Sequence, residues 1–160
     1  PDSGGVYLVP AFTGLGLPHW RPDARATISG LSSHSDRRHI ARAAFESIAY
    51  QIRDALEAMR IEGGVTIGAL QADGGPTASK FLMQFTADLV GVELHVSTMS
   101  DCSPLGAVFS GQVGLGFHPG LEGLGKIPVD SVVYRPERTQ DEVADLRRGW
   151  VAAVASVVAM

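Results

Sequence analysis

The sequence predicts an α/β or mixed α+β layer fold, and three observations support this. Short β-rich runs alternate with helical segments along the chain, as they do where helices cover a sheet. A long amphipathic pattern covers residues 36–60, and a glycine-rich junction at 73–75 joins a short strand to a helix. The 160 residues are 45% apolar and 19% charged, which is enough for one domain with a hydrophobic core.

Two short strands are predicted ahead of the long helix, at residues 6–9 and 26–30. Both runs are rich in residues that favour strands, and the second stops at a glycine. A loop rich in glycine and proline covers residues 13–20 between them. We expect Trp20, at the end of this loop, to pack the loop onto the domain rather than to stack on a substrate.

The pattern at residues 36–60 predicts a helix with Ser35 or Asp36 as its N-cap and Gly63-Gly64 at its end. A lone acid on such a helix, here Glu46, is expected to be solvated or salt-bridged, and it receives no catalytic role. Apolar side chains recur at every third or fourth position and predict one apolar stripe along the helix. The stripe consists of Ile40, Ala44, Ile48, Ile52, Leu56 and Met59.

The remaining chain predicts three strands and three helices. The strands are expected at residues 69–72, 92–96 and 132–134. A helix that ends at Gly91 follows the first strand, and Ser103-Pro104 opens the next helix, with serine as its N-cap. Thr139 and Glu142 form a capping box at the start of the last helix. Its predicted inward side chains are Val143, Leu146, Trp150, Val154 and Val157.

Composition argues against several classes of function. The net charge of -4 shows no basic footprint, so nothing indicates binding to nucleic acid or to an anionic membrane. The most apolar run, residues 150–160, is far shorter than the ~20 residues of a membrane helix. The single cysteine permits no internal disulfide and fits a cytoplasmic location. The first five residues have neither the charged n-region nor the apolar h-region of a signal peptide, and we interpret Pro1 as the cut end of a longer protein.

The sharpest local feature is the junction formed by Asp73, Gly74, Gly75 and Pro76. Glycines let a ligand approach the backbone closely, and Pro76 suits the first position of a helix. Free N–H groups and the dipole of a helix start would favour a phosphate or a ribose over this loop. A tight turn without a ligand is the alternative that the spacing alone leaves open.

Other candidate motifs do not support a site. Residues 120–126 have the spacing of a phosphate-binding Walker A loop, but Ile127 replaces the required Ser or Thr and Pro128 prevents the required helix. The five histidines lack metal-ligand spacing, so no metal site is predicted. Cys102 has no base nearby in sequence and is expected to be a small buried or half-buried side chain, not a nucleophile.

Several long motifs, in the right order, resemble the FGGY carbohydrate kinases. Residues 26–46 fit a signature pattern of that family, and residues 10–20 and 46–51 are similar to stretches of its glycerol kinase branch. The Asp-Gly-Gly loop at 73–75, followed by residues 81–85, is similar to the same branch. The similarity covers roughly residues 5–116 and, more loosely, the last helix.

The resemblance implies a fold and a division of labour. The family has two ribonuclease-H-like α/β domains of the actin, hexokinase and Hsp70 type, each with a mixed sheet flanked by helices. Residues 1–160 would be the C-terminal nucleotide-binding domain, and the N-terminal domain, which binds most of the substrate, would be absent. The family's catalytic Asp would lie upstream, so no catalytic residue is assigned in this chain.

The resemblance also implies the ligands and their contacts. ATP with Mg²⁺ would be the cofactor, glycerol or a small sugar the substrate, and the full-length protein a homo-oligomer. Gly75 would pack against the adenosine, and Gly74 would shape the loop. Many glycerol kinases have an asparagine near the adenine where this chain has Ser79, which offers one hydroxyl in place of a carbonyl and an NH₂ group.

Three functions remain open at this point. The first is the nucleotide-binding part of a kinase that converts glycerol to glycerol 3-phosphate. The second is another FGGY kinase, acting on xylulose, ribulose or gluconate. The third is a non-catalytic nucleotide-binding or interaction module derived from a kinase.

Overall fold

The computed structural model describes residues 2–99, 102–118, 120 and 130–159. Five strands and four helices make up this part of the chain, and their order confirms the predicted α/β class. The strands are β1 (Tyr7–Val9), β2 (Thr27–Ser29), β3 (Ala69–Ala72), β4 (Glu93–Ser97) and β5 (Ser131–Tyr134). The helices are α1 (Arg37–Gly63), α2 (Lys80–Val90), α3 (Ser103–Gly114) and α4 (Gln140–Val158), with a 3₁₀ turn at Gly75–Ala78.

The described strands form two sheets. β1 and β2 pair antiparallel, with Leu8 opposite Ile28. The other sheet has the order β3-β4-β5: β3 runs parallel to β4, and β5 runs antiparallel to it. This three-stranded sheet is therefore mixed, and it places the ends of β3 and β4 at one edge.

Both long helices begin as the sequence predicts. The Asp36 carboxylate accepts hydrogen bonds from backbone N–H groups in the first turn of α1, and the His39 ring accepts one from the Asp36 N–H in return. Gly64 ends α1 in the left-handed conformation, at φ 62°. Thr139 and Glu142 form the predicted capping box of α4. α3, in contrast, starts one residue earlier than predicted, with Cys102 rather than Ser103 as its N-cap.

The predicted apolar stripe of α1 is not its buried face. Ile48 and Met59 are 39% and 46% exposed, whereas the buried residues of α1 are Ala43, Glu46, Ser47, Ala49, Tyr50 and Ala58. The buried face is built mainly of small side chains, which allow α1 to pack closely on α2 and β1. Periodicity finds an apolar face, but it does not show which face a neighbouring element covers.

Tyr50 lies at the centre of the core and is 1% exposed. Its ring stacks on Trp150 of α4, with 5.0 Å between centroids, and meets Phe85 of α2 edge-on at 5.7 Å. Tyr7 of β1 touches it from a third side, at 6.0 Å. One aromatic side chain therefore joins three helices and a strand.

α4 closes the core, as its apolar pattern predicts. Trp150, Val154 and Val157 are buried, and the Trp150 indole donates a 2.6 Å hydrogen bond to the Asp54 carboxylate on α1. The helix lies so close to Tyr7 that a side chain at Gly149 would collide with the Tyr7 ring. None of the described helices combines the length and the apolarity that crossing a bilayer requires.

The prediction that Trp20 packs the first loop onto the domain is wrong. Trp20 is 70% exposed and has a positive φ of 50°. Leu15 and Ala24 carry the buried contacts of this loop instead. Arg21 holds the loop in place, because it pairs with Asp23 at 2.9 Å and donates to the Val158 carbonyl at the end of α4.

Glu46 is salt-bridged, as expected, but it is also buried. Its Oε1 atom accepts a 2.7 Å hydrogen bond from Arg42 Nε, whereas Oε2 has no hydrogen-bond partner within the described ranges. Burial raises the pKa of this carboxyl, and the neighbouring Arg42 and Ser3 side chains offset part of that rise. A buried carboxylate is costly when ionised unless it is fully paired.

We expect Trp150→Ala to lower the free energy of unfolding by about 3–5 kcal/mol, because it removes a fully packed ring and leaves a cavity beside Tyr50. Urea unfolding measures this change. Trp20→Ala is the matched control and should change stability by less than about 0.5 kcal/mol, because that ring is exposed. Equal losses from the two substitutions would contradict the assigned core.

Glu46→Gln should stabilise the protein more at neutral pH than at about pH 4. A raised pKa in the folded state means that the carboxyl favours folding when protonated, and this contribution is lost as pH rises through the folded-state pKa. Unfolding measured across this pH range tests the sign. Glu57→Gln is the opposite control: its hydrogen bond with Arg60 lowers its pKa, so its removal should destabilise at neutral pH. A pH-independent effect of Glu46→Gln would contradict the assignment.

Candidate functional site

Two loops leave the sheet at the same edge. β3 and β4 are parallel, with Ala72 opposite Val96, so the chain emerges from both strands on one side. Residues 73–79 follow β3, residues 98–99 follow β4, and Cys102 immediately precedes α3. Ligands of open α/β sheets commonly bind at the carboxyl ends of parallel strands, so a ligand site is expected at this edge.

Gly74 has a backbone conformation that glycine allows and other residues resist. Its φ is 90°, and the following residues close into the 3₁₀ turn Gly75–Ala78. The Gly74 carbonyl accepts hydrogen bonds from the Thr77 N–H at 3.1 Å and from the Thr77 hydroxyl at 2.6 Å. The turn is therefore defined by its own hydrogen bonds and by the glycine at its start.

Gly75 faces open space. The residue is exposed, and beyond its two chain neighbours no described residue has an atom within 4 Å of a Cβ built on it. Its φ lies outside the left-handed region, so the backbone does not require glycine at this position. The absence of a side chain leaves a surface of bare backbone that a flat ligand could contact.

Ser79, rather than Pro76, starts the helix that follows. The prediction that Pro76 opens this helix is wrong, because the 3₁₀ turn intervenes and α2 begins at Lys80. The Ser79 hydroxyl accepts a 3.2 Å hydrogen bond from the Leu82 N–H, as an N-cap does. The hydroxyl can still donate a hydrogen bond of its own. The free N–H groups and the dipole of a helix start, which were predicted at the glycine turn, therefore lie at the N-terminus of α2.

Asp73 connects the two loops. Its Oδ2 atom accepts a 3.1 Å hydrogen bond from the backbone N–H of Cys102, the N-cap of α3. Cys102 is half-buried, as predicted, and its thiol lies 3.4 Å from the Ser97 hydroxyl. The sequence offered no signal for the contact between Asp73 and Cys102, because it depends on the register of two parallel strands.

The structure gathers Gly74, Gly75 and Ser79 on one continuous loop, beside the start of α3. Within the described ranges, no three His, Cys, Asp or Glu side chains come together as metal ligands. The rejected Walker A segment, residues 120–126, lies outside the described residues except for Gly120. The candidate site is therefore a glycine loop at a sheet edge, and the groups that it offers to a ligand are backbone and hydroxyl groups.

Residues 1–115 match the model of the FGGY family of carbohydrate kinases, C-terminal domain. The chain is 43% identical over 153 residues to a glycerol kinase of Petrotoga mobilis and 44% identical over 153 residues to one of Vibrio cholerae. These alignments cover 96% and 95% of this chain but 31% and 30% of the relatives. The chain thus spans about a third of the length of the relatives that it matches.

Solved structures give the same picture. A crystal structure of Plasmodium falciparum glycerol kinase with ADP superimposes with a TM-score of 0.83 at 30% identity, over 98% of this chain and 31% of that one. A gluconate kinase from Lactobacillus acidophilus superimposes with a TM-score of 0.73 at 25% identity, over 94% of this chain and 30% of that one. The described fold is that of a segment of these larger kinases, which have the actin, hexokinase and Hsp70 type of ATPase fold.

Ser79→Ala should lower the free energy of unfolding by about 1 kcal/mol, because it removes the side-chain acceptor at the N-terminus of α2. Urea denaturation measures the loss. Ser79→Asn is the control, since asparagine caps helices as well as serine does, and it should change stability by a few tenths of a kcal/mol at most. A full loss of stability with asparagine would contradict the capping role.

Proposed function

The chain belongs to the FGGY family of carbohydrate kinases, and from this premise we propose that it supplies the adenine-nucleotide site of a kinase that converts glycerol to glycerol 3-phosphate. In this proposal residues 1–160 form the C-terminal nucleotide-binding domain, and the domain that binds most of the glycerol lies elsewhere in the polypeptide. The catalytic base, an Asp in this family, would lie there too, so we assign no catalytic residue to this chain.

The observation that carries the proposal is the bare backbone at Gly75, at the carboxyl edge of a parallel strand pair. Beyond its two chain neighbours, no described residue has an atom within 4 Å of the position that a Cβ would take, so an adenosine group has room to lie against residues 74 and 75. The Ser79 hydroxyl, on the same loop, would contact the base. The similarity to a glycerol kinase solved with ADP supports the same placement.

ATP fits this loop better than Mg²⁺ does. The glycine turn offers backbone and hydroxyl groups, which suit an adenosine. The carboxylate at this edge, Asp73, already accepts a hydrogen bond from Cys102. In the proposed enzyme Mg²⁺ would be held mainly by the nucleotide's phosphates, and it would neutralise charge during transfer.

The physical role of this chain would be to hold and orient the nucleotide. Phosphoryl transfer depends on positioning and electrostatics more than on covalent help from the protein. The hydrogen-bonded 3₁₀ turn and the cap of α2 fix the loop before a nucleotide arrives. Closure of the two domains would then exclude water and limit hydrolysis of ATP.

Glycerol is our preferred substrate, because the glycerol kinase of known structure shares 30% identity with this chain, whereas the gluconate and xylulose kinases of known structure share 23–26%. We further propose a cytoplasmic location and a homo-oligomeric full-length protein, as the family resemblance implies. A coupled assay on the full-length protein with glycerol, xylulose, ribulose and gluconate tests the substrate. Faster turnover of one of the sugars would replace glycerol, and inactivity with all four would favour a non-catalytic module.

Gly75→Val should weaken ADP binding by about a hundredfold or more, equivalent to about 2.7 kcal/mol. The valine side chain would occupy the space in which the adenosine is proposed to lie. Calorimetry on the full-length protein with ADP and Mg²⁺ measures this. The fold should be unaffected, since the space beside Gly75 is open.

The matched control is Gly68→Val, another glycine whose Cβ would meet no atom within 4 Å, ahead of β3. This control should bind ADP as the parent protein does. Normal ADP affinity in Gly75→Val would refute the site. Equal weakening in both variants would show a general effect of valine rather than a blocked loop.

A further inference from the structure

A cavity of about 450 Å³ lies between the middle of α1, the end of α2 and the start of α4. Three of its lining side chains are arginines, and each comes from a different part of the chain: Arg53 from α1, Arg138 from the segment after β5, and Arg147 from α4. Asp88 and Gln140 complete its polar lining. No residue of the 73–79 loop lines this cavity, so it is separate from the proposed nucleotide site.

Asp88 does not neutralise all three arginines. It is 7% exposed, and its Oδ2 atom lies 3.4 Å from Arg138 Nε. Its Oδ1 atom accepts hydrogen bonds from the Glu137 N–H at 2.8 Å and from the Gln84 amide at 2.9 Å. Asp88 therefore anchors the segment before α4, and its single negative charge neutralises the charge of one guanidinium, that of Arg138.

Arg53 is partly buried at the cavity wall. It donates to the Leu89 carbonyl, but its Nε atom is buried without a hydrogen-bond partner in the part of the chain that the structure describes. Burial lowers the pKa of this guanidinium, and the positive charge of Arg147 lowers it further. The negative charges of Glu57 and Asp54 raise it and offset part of this effect.

The two carboxylates whose charge reaches Arg53, Asp54 and Glu57, also have other partners. Asp54 accepts the Trp150 indole N–H at 2.6 Å, and Glu57 pairs with Arg60 at 2.7 Å. Glu57 also feels the positive charges of Arg53 and Arg147. Both arginines line the same cavity, and neither makes an ion pair within 4 Å to a carboxylate in the part of the chain that the structure describes.

We propose that this cavity is a binding site for the dianionic phosphoryl group of a small phosphate compound, held between Arg53 and Arg147 with Arg138 at its rim. A phosphate dianion would pair directly with two guanidinium groups that make no close ion pair to a described residue, and arginine forks bind phosphate oxygens in pairs. The volume falls within the range of small-molecule sites. It leaves room for an organic group beyond the phosphoryl group.

Calorimetric titration of inorganic phosphate into the full-length protein tests this inference, at about pH 8, where phosphate groups are close to doubly charged. Saturating ADP occupies the nucleotide site during the titration. We expect saturable binding that Arg147→Gln weakens by about tenfold or more, because that substitution removes one charge-assisted partner. Arg148→Gln is the matched control: Arg148 is exposed, pairs with Asp145 and does not line the cavity.

Ala144→Glu provides a second, independent variant. Residue 144 is exposed and lines the same cavity, so the substitution adds a carboxylate near Arg147 without disturbing the core. It should weaken phosphate binding as strongly as Arg147→Gln does. Circular dichroism of each variant confirms that the fold is intact.

Phenyl phosphate and acetate identify the ligand class. Tighter binding of phenyl phosphate than of inorganic phosphate indicates a phosphorylated metabolite, and equal binding indicates free phosphate; both outcomes support the site. The proposal fails if the parent protein shows no saturable phosphate binding, or if Arg147→Gln and Ala144→Glu bind phosphate normally. It also fails if acetate binds as tightly as phosphate.

Discussion

The fold depends on the burial of the Tyr50 ring among aromatic side chains from three other elements. The stack on Trp150 brings α4 onto α1, and the edge contact with Phe85 brings α2 onto the same point. Aromatic pairs in these geometries contribute beyond their buried area. Because α2 begins at the glycine loop, the position of that loop relative to the rest of the domain is set by this cluster. The packing of the aromatic core therefore determines where the candidate site lies.

Much of the fold could be predicted from the sequence, because caps, glycines and strand-forming runs act locally. Asp36, Thr139 with Glu142, and Gly91 mark helix ends through contacts within a few residues. The buried face of α1 could not be predicted in this way. Small residues such as Ala43 and Ser47 form the buried face of α1, whereas the apolar periodicity predicted that a different face would be buried. The exposure of Trp20 escaped prediction for a related reason, since burial depends on which neighbours cover a residue.

In the candidate site, too, the local features could be predicted from the sequence and the features that depend on backbone angles or packing could not. A strand, two glycines and a helix in sequence indicate a loop at a sheet edge, and the structure places Gly74, Gly75 and Ser79 there. The capping role of Ser79 and the 3₁₀ turn before it depend on backbone angles that the sequence left open. The cavity of Arg53, Arg138 and Arg147 is the extreme case, because each arginine is unremarkable alone. Only the packing of α4 against α1 makes them neighbours.

The hydrogen bond between Asp54 and Trp150 joins residues 96 positions apart, and this separation has a consequence for how the chain acquires its structure. Contacts between distant residues slow folding, because a long loop must close before they form. During synthesis, α1 and α2 would emerge from the ribosome with Tyr50 and Phe85 still uncovered, and α4 would reach them much later. An exposed aromatic surface of this kind promotes aggregation. Chaperone dependence of this segment would therefore follow from the lateness of α4 rather than from weakness of the finished core.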